Sequence, residues 1–431
     1  MRHLTTSAAA LIMSATPVFA ADLPAPEPIE YVQICDAYGN GYYFIPGTDT
    51  CLRIRGRVRA EYRWNNFGDE PNNWTDRRDR STQTRARGYL RMDARTQTEY
   101  GLLRAYIDLF ATVDSGRLSQ TRETTEFDGA DREIVTETSD PTTDMTLDYA
   151  FIQFGGMTIG KTHSFYDFWT GYAYGAINTV AYSDVTLWLA GYTFDLGNGL
   201  SFSIAAEDQT FRRESVIARD DENNITIGYG GNRTPDLVAN LRLDQGWGSA
   251  QLMAAVHEVR YAVSYPDSDV GWAVGGGVEV YLPIFTDFMQ NTQFALMSSY
   301  AQGAMGYVHS DWGVRVFDSV STENADLTTD DDLTTGWSVA GGLYTEFSDE
   351  WNFAIQASYA TVNPTRIQDF NQTDAVAKIG WTPVHGFEIG TEIAYRNLDF
   401  DLQDGDDDDR FGHDLDGRDI VSVLVRVQRD F

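Results

Sequence analysis

The chain has 431 residues, 64 acidic against 32 basic, for a formal charge of −32. That acidity argues against a nucleic-acid partner. A content of 42% hydrophobic and 13% aromatic residues argues against disorder.

The first twenty residues, MRHLTTSAAALIMSATPVFA, place Arg2 and His3 before a short apolar run and end on Val18-Phe19-Ala20. This is the pattern of a secretory signal with cleavage after Ala20. The run is too short to span a bilayer as a helix, and no later stretch is long and apolar enough to do so. Residues 21–51 read as a periplasmic N-terminal segment. It carries Cys35 and, at its end, Cys51, the two cysteines of the chain. An even count in an oxidising compartment predicts one disulfide.

From residue 52 onward the pattern is alternation. In LRIRGRVRAEYRW (52–64), Leu52, Ile54, Val58, Ala60, Tyr62 and Trp64 share one parity, and Arg53, Arg55, Arg57, Arg59, Glu61 and Arg63 the other. Side chains on a strand alternate faces, so one face is apolar and the other charged. Arg85, Arg87, Arg91, Arg95 and Arg104 continue the charged parity through the next two segments. LSFSIAAE (200–207), DLVANLRLD (236–244), WNFAIQASY (351–359) and FEIGTEIAY (387–395) alternate likewise, and IVSVLVRVQRDF ends the chain with valines on one face. Sixteen candidate strands emerge: 52–64, 83–98, 101–113, 145–155, 157–163, 186–195, 199–208, 235–244, 248–259, 270–282, 293–303, 335–346, 351–361, 373–382, 386–399 and 419–431. The connections mostly alternate long and short; linker 283–292 breaks the rule, and ITIGYG (225–230) reads as an extra strand or as part of a loop. An even strand number, lipid-facing apolar parity, rings near strand ends and one-sided long loops predict an all-β transmembrane barrel over 52–431.

GGMTIGKT (155–162) fits the spacing of a phosphate-binding loop. That motif needs a helix after it, and HSFYDFWTGYAYGAINTV is rich in aromatics without helical periodicity. Gly155-Gly156 reads as a turn and 164–185 as the third long loop. Loop 114–144 and loop 400–418 (with DGDDDDRFGHDLDGR) concentrate acid. The second lacks the glycine and glutamate of a calcium loop counted from Asp404, so no metal or cofactor site is expected.

EYVQICDAYGNGYYFIPGTDTCLRIRGRVR, GGMTIGKTHSFYDF, PDLVANLRLDQGWGSAQLMAAVHEV and the terminal Phe431 resemble the alphaproteobacterial general porins of the Brucella and rhizobial type over nearly the whole mature chain. The resemblance implies a homotrimeric sixteen-stranded barrel in the bacterial outer membrane, in contact with lipid and lipopolysaccharide. It implies that the third loop folds inward as the constriction, with Tyr166, Asp167 and Asp184 lining it opposite the arginines of the first three strands. It also implies that Phe431 is the signal read by the barrel-assembly machinery.

The expected activity is passive diffusion of small hydrophilic solutes and ions through a water-filled lumen. The alternatives are a substrate-specific channel, suggested by the rings of 164–185, and a barrel hydrolase, suggested by His163-Ser164 and His309-Ser310. Adjacent strand residues point to opposite faces, so the first pair does not favour a nucleophile–base hydrogen bond.

Overall fold

The computed structural model describes residues 33–64, 82–115, 120–127, 130–137, 142–219, 225–262, 268–282, 290–312, 316–320, 333–363, 369–401 and 418–431. Sixteen antiparallel strands form the wall, numbered here in chain order. They are β1 (Cys51–Trp64), β2 (Thr82–Thr98), β3 (Gly101–Asp114), β4 (Thr142–Phe154), β5 (Met157–His163), β6 (Thr186–Gly197), β7 (Leu200–Glu207) and β8 (Asp236–Gln245). There follow β9 (Gly248–Val259), β10 (Asp269–Leu282), β11 (Gln290–Gln302), β12 (Thr335–Glu346), β13 (Trp351–Asn363), β14 (Asp369–Val384), β15 (Phe387–Asp401) and β16 (Arg418–Asp430).

Each strand pairs with its sequence neighbours, and β1 pairs with β16 from Arg57↔Asp430 to Trp64↔Val423, which closes the sheet. Phe431 extends the seam: it exchanges backbone hydrogen bonds with Gly56 at 2.8 and 3.0 Å. Its ring lies over Gly56, where any side chain would collide with it. In hydrocarbon an unpaired backbone amide has no water to turn to, so closure is obligatory for a spanning sheet.

The alternation seen in sequence becomes two faces. Ile54, Val58, Leu90, Ile107, Ile152, Leu241, Leu252, Ile355 and Ile393 are exposed on the outside. Outward rings stand at both rims: Trp188, Trp272, Tyr300, Trp337, Tyr359 and Tyr395 toward the long loops, and Tyr192, Phe194, Tyr281, Phe294 and Trp351 toward the tight turns. Such rings sit at membrane–water interfaces.

The turn at Gly155-Gly156 and strand 157–163 lie where the sequence puts them. Other bounds shift: β14 runs 369–384 rather than 373–382, and β11 starts at Gln290 rather than 293. Three expected loops contain strands of their own. Within 114–144, Gln120–Phe127 pairs with Ala130–Glu137. Ile225–Ile227 joins Ser215–Arg219, which also pairs in parallel with Phe317–Val320, so ITIGYG belongs to an outer-loop sheet and not to the barrel. The signal segment 1–20 and the acidic run in 402–417 lie outside the described residues.

At the turn end, Tyr43–Phe44 pairs with Leu52 and Cys51, and Cys35 and Cys51 are bridged with Cα atoms 6.0 Å apart. The expected disulfide is therefore present.

The lipid face yields a first prediction. Leu252 is 65% exposed near the middle of β9. Leu252→Arg should cost about 2–4 kcal/mol, as for a cation near the bilayer midplane. Reversible denaturant unfolding from lipid vesicles measures it; an unchanged midpoint would contradict an outward, lipid-immersed position.

Candidate channel lumen

The inner face of β1–β3 carries the arginines singled out in sequence. Opposite residues across β1 and β2 form successive inward rungs: Arg53↔Asp93, Arg55↔Arg91, Arg57↔Tyr89, Arg59↔Arg87 and Glu61↔Arg85. At the turn end, Asp93 holds Arg95 and Arg104 at 2.9 Å and Arg53 at 3.5 Å. Tyr42 of the N-terminal segment donates to Asp93 at 2.8 Å, and its ring lies 4.5 Å from the Arg53 guanidinium. At the loop end, Arg85 forks onto Asp114, and Glu61 is shared by Arg63 and Arg426. Arg91 pairs with Asp108 and Arg57 with Asp430, each at 2.5 Å. Nine arginines named from sequence thus occupy one wall, and most of them carry a carboxylate partner.

Residues 164–185 connect β5 to β6 and reach strands on the far side of the barrel. The amides of Tyr172 and Ala173 donate to Gln356 Oε1 at 2.8 and 3.1 Å, and that of Ala181 to Ser358 Oγ at 2.8 Å. Glu392 accepts from the amides of Gly175 and Ala176, and Arg396 donates to Thr179 O. Tyr172 donates to Glu279 at 2.7 Å, while Tyr174 donates to Glu388 and stacks under Arg426 at 4.1 Å. Burial and these acceptors push the hydroxyls of Tyr172 and Tyr174 well above the usual tyrosine range.

The seat for this segment is made by missing side chains. A Cβ on Gly191, Gly275, Gly277, Gly342 or Gly390 would run into Phe165, Tyr166, Phe168, Trp169 or Tyr174 respectively. Inward alanines, among them Ala273, Ala295 and Ala340, complete the floor beneath Tyr166 and Trp169. Two of these glycines, Gly275 and Gly277, lie in the run GWAVGGGVEV of the expected strand 270–282, where Tyr166 and Phe168 dock. Glycine within a strand marks close approach of another group.

Two sequence expectations are corrected here. Asp167 does not face the arginines of β1–β3. Its carboxylate, 3% exposed, meets Arg212 at 2.7 Å and accepts from Ser183 Oγ and the Val185 amide. Arg212 is itself fully buried, bonded also to Ser183 and Gly306 O. Tyr166 does not line open space either: it is 0% exposed and packs edge-on against Tyr307 at 4.9 Å. A buried carboxylate takes the nearest cation that can be desolvated with it, and Arg212 lies 45 residues away in a loop whose folding the sequence pattern did not show.

Asp184 remains partly exposed, 3.5 Å from His163 Nδ1. Burial and the neighbouring Asp167 charge raise its carboxyl to about 6. His163, Asp167 and Asp184 bring ligand atoms within 4.8 Å of one another. Both oxygens of Asp167 are already engaged, which makes this an electrostatic cluster of the loop root.

Above β8 and β9, Asp236 accepts from Tyr307 at 2.7 Å and lies 2.8 Å from His257 Nδ1. Asp318 accepts from Tyr229 at 2.6 Å and from the Met305 amide at 2.7 Å. These bonds tie the loops 209–235 and 303–334 to the wall and to each other. Among the described residues, neither serine beside a histidine bonds to it: Ser164 donates to Glu207 and Ser310 to Tyr182 O.

A closed sixteen-stranded sheet with a lipid-facing exterior and a charged interior defines an outer-membrane β-barrel channel. The match is to a porin subfamily model over residues 22–424. The chain is 29% identical over 446 positions to porin Omp2b of Brucella suis, covering all of both chains. It is 29% identical over 414 positions to porin Omp2b of Brucella abortus strain 2308, covering 92% of each. Among solved structures, the outer-membrane channel DcaP of Acinetobacter baumannii superposes with a TM-score of 0.62 at 14% identity, over 90% of this chain and 99% of that one. The protein belongs to the porin subfamily: it is a general porin of the bacterial outer membrane, as the sequence resemblance implies.

The site yields two predictions. Arg212→Ala leaves Asp167 buried and unpaired, which should cost about 3–5 kcal/mol and loosen residues 164–185. Protease cleavage within 164–185 should appear in the folded variant and not in the parent. For Asp184, a folded pKa above the unfolded value means the carboxylate destabilises the fold as pH rises from about 4 through about 6. Asp184→Asn should therefore stabilise by about 1 kcal/mol at pH 7, discounted for solvent screening, and by nothing at pH 4. Unfolding midpoints at the two pH values test the sign.

Proposed function

We propose that residues 164–185 fold inward and narrow the lumen, so that solutes pass between this segment and the arginine wall of β1–β3. The observation that carries this is the set of hydrogen bonds from the amides of Tyr172, Ala173, Gly175, Ala176 and Ala181 to Gln356, Glu392 and Ser358. These acceptors share the buried parity of β13 and β15, while Ile355, Tyr359, Ile393 and Tyr395 of the other parity are exposed. A segment bonded to the inner face of the far wall leaves only the remaining cross-section for water. Small hydrophilic solutes then diffuse down their gradients with no energy source. Arg53, Arg55, Arg57, Arg59, Arg85, Arg87, Arg91, Arg95 and Arg104 supply the basic side of the passage. Asp184 supplies a carboxylate at the root of the segment, whereas Asp167 acts as its internal anchor.

The chain forms a homotrimer in this reading. Support comes from the outer surface of β1–β4, where Val58, Leu90, Ile107 and Ile152 are exposed and rings stand at the strand ends, Tyr62 and Trp64 toward the long loops and Phe154 toward the turns. The aliphatic band between them is a surface against which a second copy can pack. Residues 1–20 act as the export signal, 21–51 as the periplasmic segment, and Phe431 as the residue presented to the assembly machinery. Lipopolysaccharide meets the long loops.

Planar-bilayer recording tests the reading. Each insertion should open in one step and close under high voltage in three equal steps. Replacing Glu392 and Gln356 by Ala should enlarge the unit conductance while the protein still inserts. Equal conductance in parent and variant would place 164–185 away from the permeation path, and a single closing step would overturn the trimer.

A further inference from the structure

The arginine wall is not evenly neutralised. Three successive inward rungs of β1 and β2, Arg55↔Arg91, Arg57↔Tyr89 and Arg59↔Arg87, hold five arginines, four of them around one ring. Arg59 and Arg87 both donate to the Tyr89 hydroxyl, at 3.1 and 3.2 Å. The guanidinium carbons of Arg57, Arg59, Arg87 and Arg91 lie 5.3–5.9 Å from its ring centre. Like charges directly opposite on paired strands are destabilising, and here two of three rungs are arginine against arginine.

The counter-charge is short. Arg91 has Asp108 and Arg57 has Asp430. Arg59 comes within 3.8 Å of Glu61, but that carboxylate is already forked by Arg63 and Arg426. Arg59 Nε is buried with no hydrogen-bond partner. Among the described residues, Arg87 reaches the Thr112 and Tyr89 hydroxyls and the Tyr89 and Phe110 rings, and no carboxylate. Arg55 is exposed and, among the described residues, makes no ion pair or hydrogen bond. By contrast the neighbouring Arg53, Arg95 and Arg104 converge on Asp93. The sequence therefore can neutralise such a cluster and does so one rung away, toward the turns.

Repulsion left standing in a wet, concave wall is retained where a ligand relieves it. Guanidinium forks match carboxylate and phosphate oxygens in pairs. Same-face residues on one strand repeat about every 6.8 Å, which suits two anionic groups on one small molecule better than one. The geometry points to a binding site for a compact dianion, a dicarboxylate or a phosphate, formed by Arg55, Arg59, Arg87 and Arg91 around Tyr89. This rests on the reading of that wall as the solute path. It makes the lumen anion-preferring although the chain as a whole is acidic, because the net negative charge lies elsewhere.

Planar-bilayer recording of the full-length protein across a KCl gradient is the experiment. The parent should pass chloride over potassium. Potassium succinate and inorganic phosphate, added in separate arms, should reduce chloride current with half-effect at about 1 mM. The arm that acts more strongly identifies the preferred dianion. Arg55→Gln/Arg87→Gln removes no ion pair, so assembly should survive. It should lower the chloride-to-potassium permeability ratio by roughly three- to tenfold and abolish both blocks. Arg55→Lys/Arg87→Lys should keep the ratio and lose most of the block, since the paired donors are gone. If the double variant fails to insert, Arg55→Gln alone gives the same reading with a smaller shift. A cation-preferring parent, or chloride current indifferent to both dianions, overturns the site while leaving the porin intact. No conductance at all would instead count against the channel reading.

Discussion

Everything in this molecule follows from one prohibition: no backbone amide or carbonyl can stay unpaired in hydrocarbon. The sheet must close, so β1 must find β16, and the last residue bonds back to Gly56. Closure with tight turns at one end fixes which connections can be long. Once the wall is shut, its two faces meet different solvents, and the parity of every strand is assigned at a stroke. A single-residue slip in β1 would turn six charged groups into lipid.

That coupling is why so much of the fold was legible. Alternation is a local property, and the strand number and their faces could be counted from it. Strand 157–163 and the glycine turn before it agree to the residue, and the arginine parity of β1–β3 is the inner parity. Elements without alternation escaped. The ribbon at 120–137 and the small sheet joining 215–219 to 317–320 sit in loops, and their short sequences do not alternate apolar with polar residues as the wall strands do.

The interior was harder to read. Which residue a lumenal side chain meets depends on what the opposite wall offers, and nothing in a strand's own sequence reports it. Tyr166 and Asp167 looked like pore groups because porin constrictions carry such residues. They are instead the foot of the segment, one under Gly275 and the other clamped by Arg212. The signal that could have found this was the set of inward glycines at 275, 277, 342 and 390. Each is a position where the wall gives up a side chain to receive a ring. The charge balance misleads in the same way, since a total of −32 hides a wall on which arginine predominates.

The Arg212 clamp carries a consequence for how this surface can evolve. Arg212 comes from an outer loop, touches Gly306 of another, and holds the carboxylate at the root of 164–185. Outer loops are the parts most free to vary when antibodies or phages select against a surface. Here two of them are fastened to the root of the segment 164–185. Variation in residues 209–234 is therefore constrained from within: the bacterium can repaint the tips of these loops, but their bases are held by the packing of 164–185.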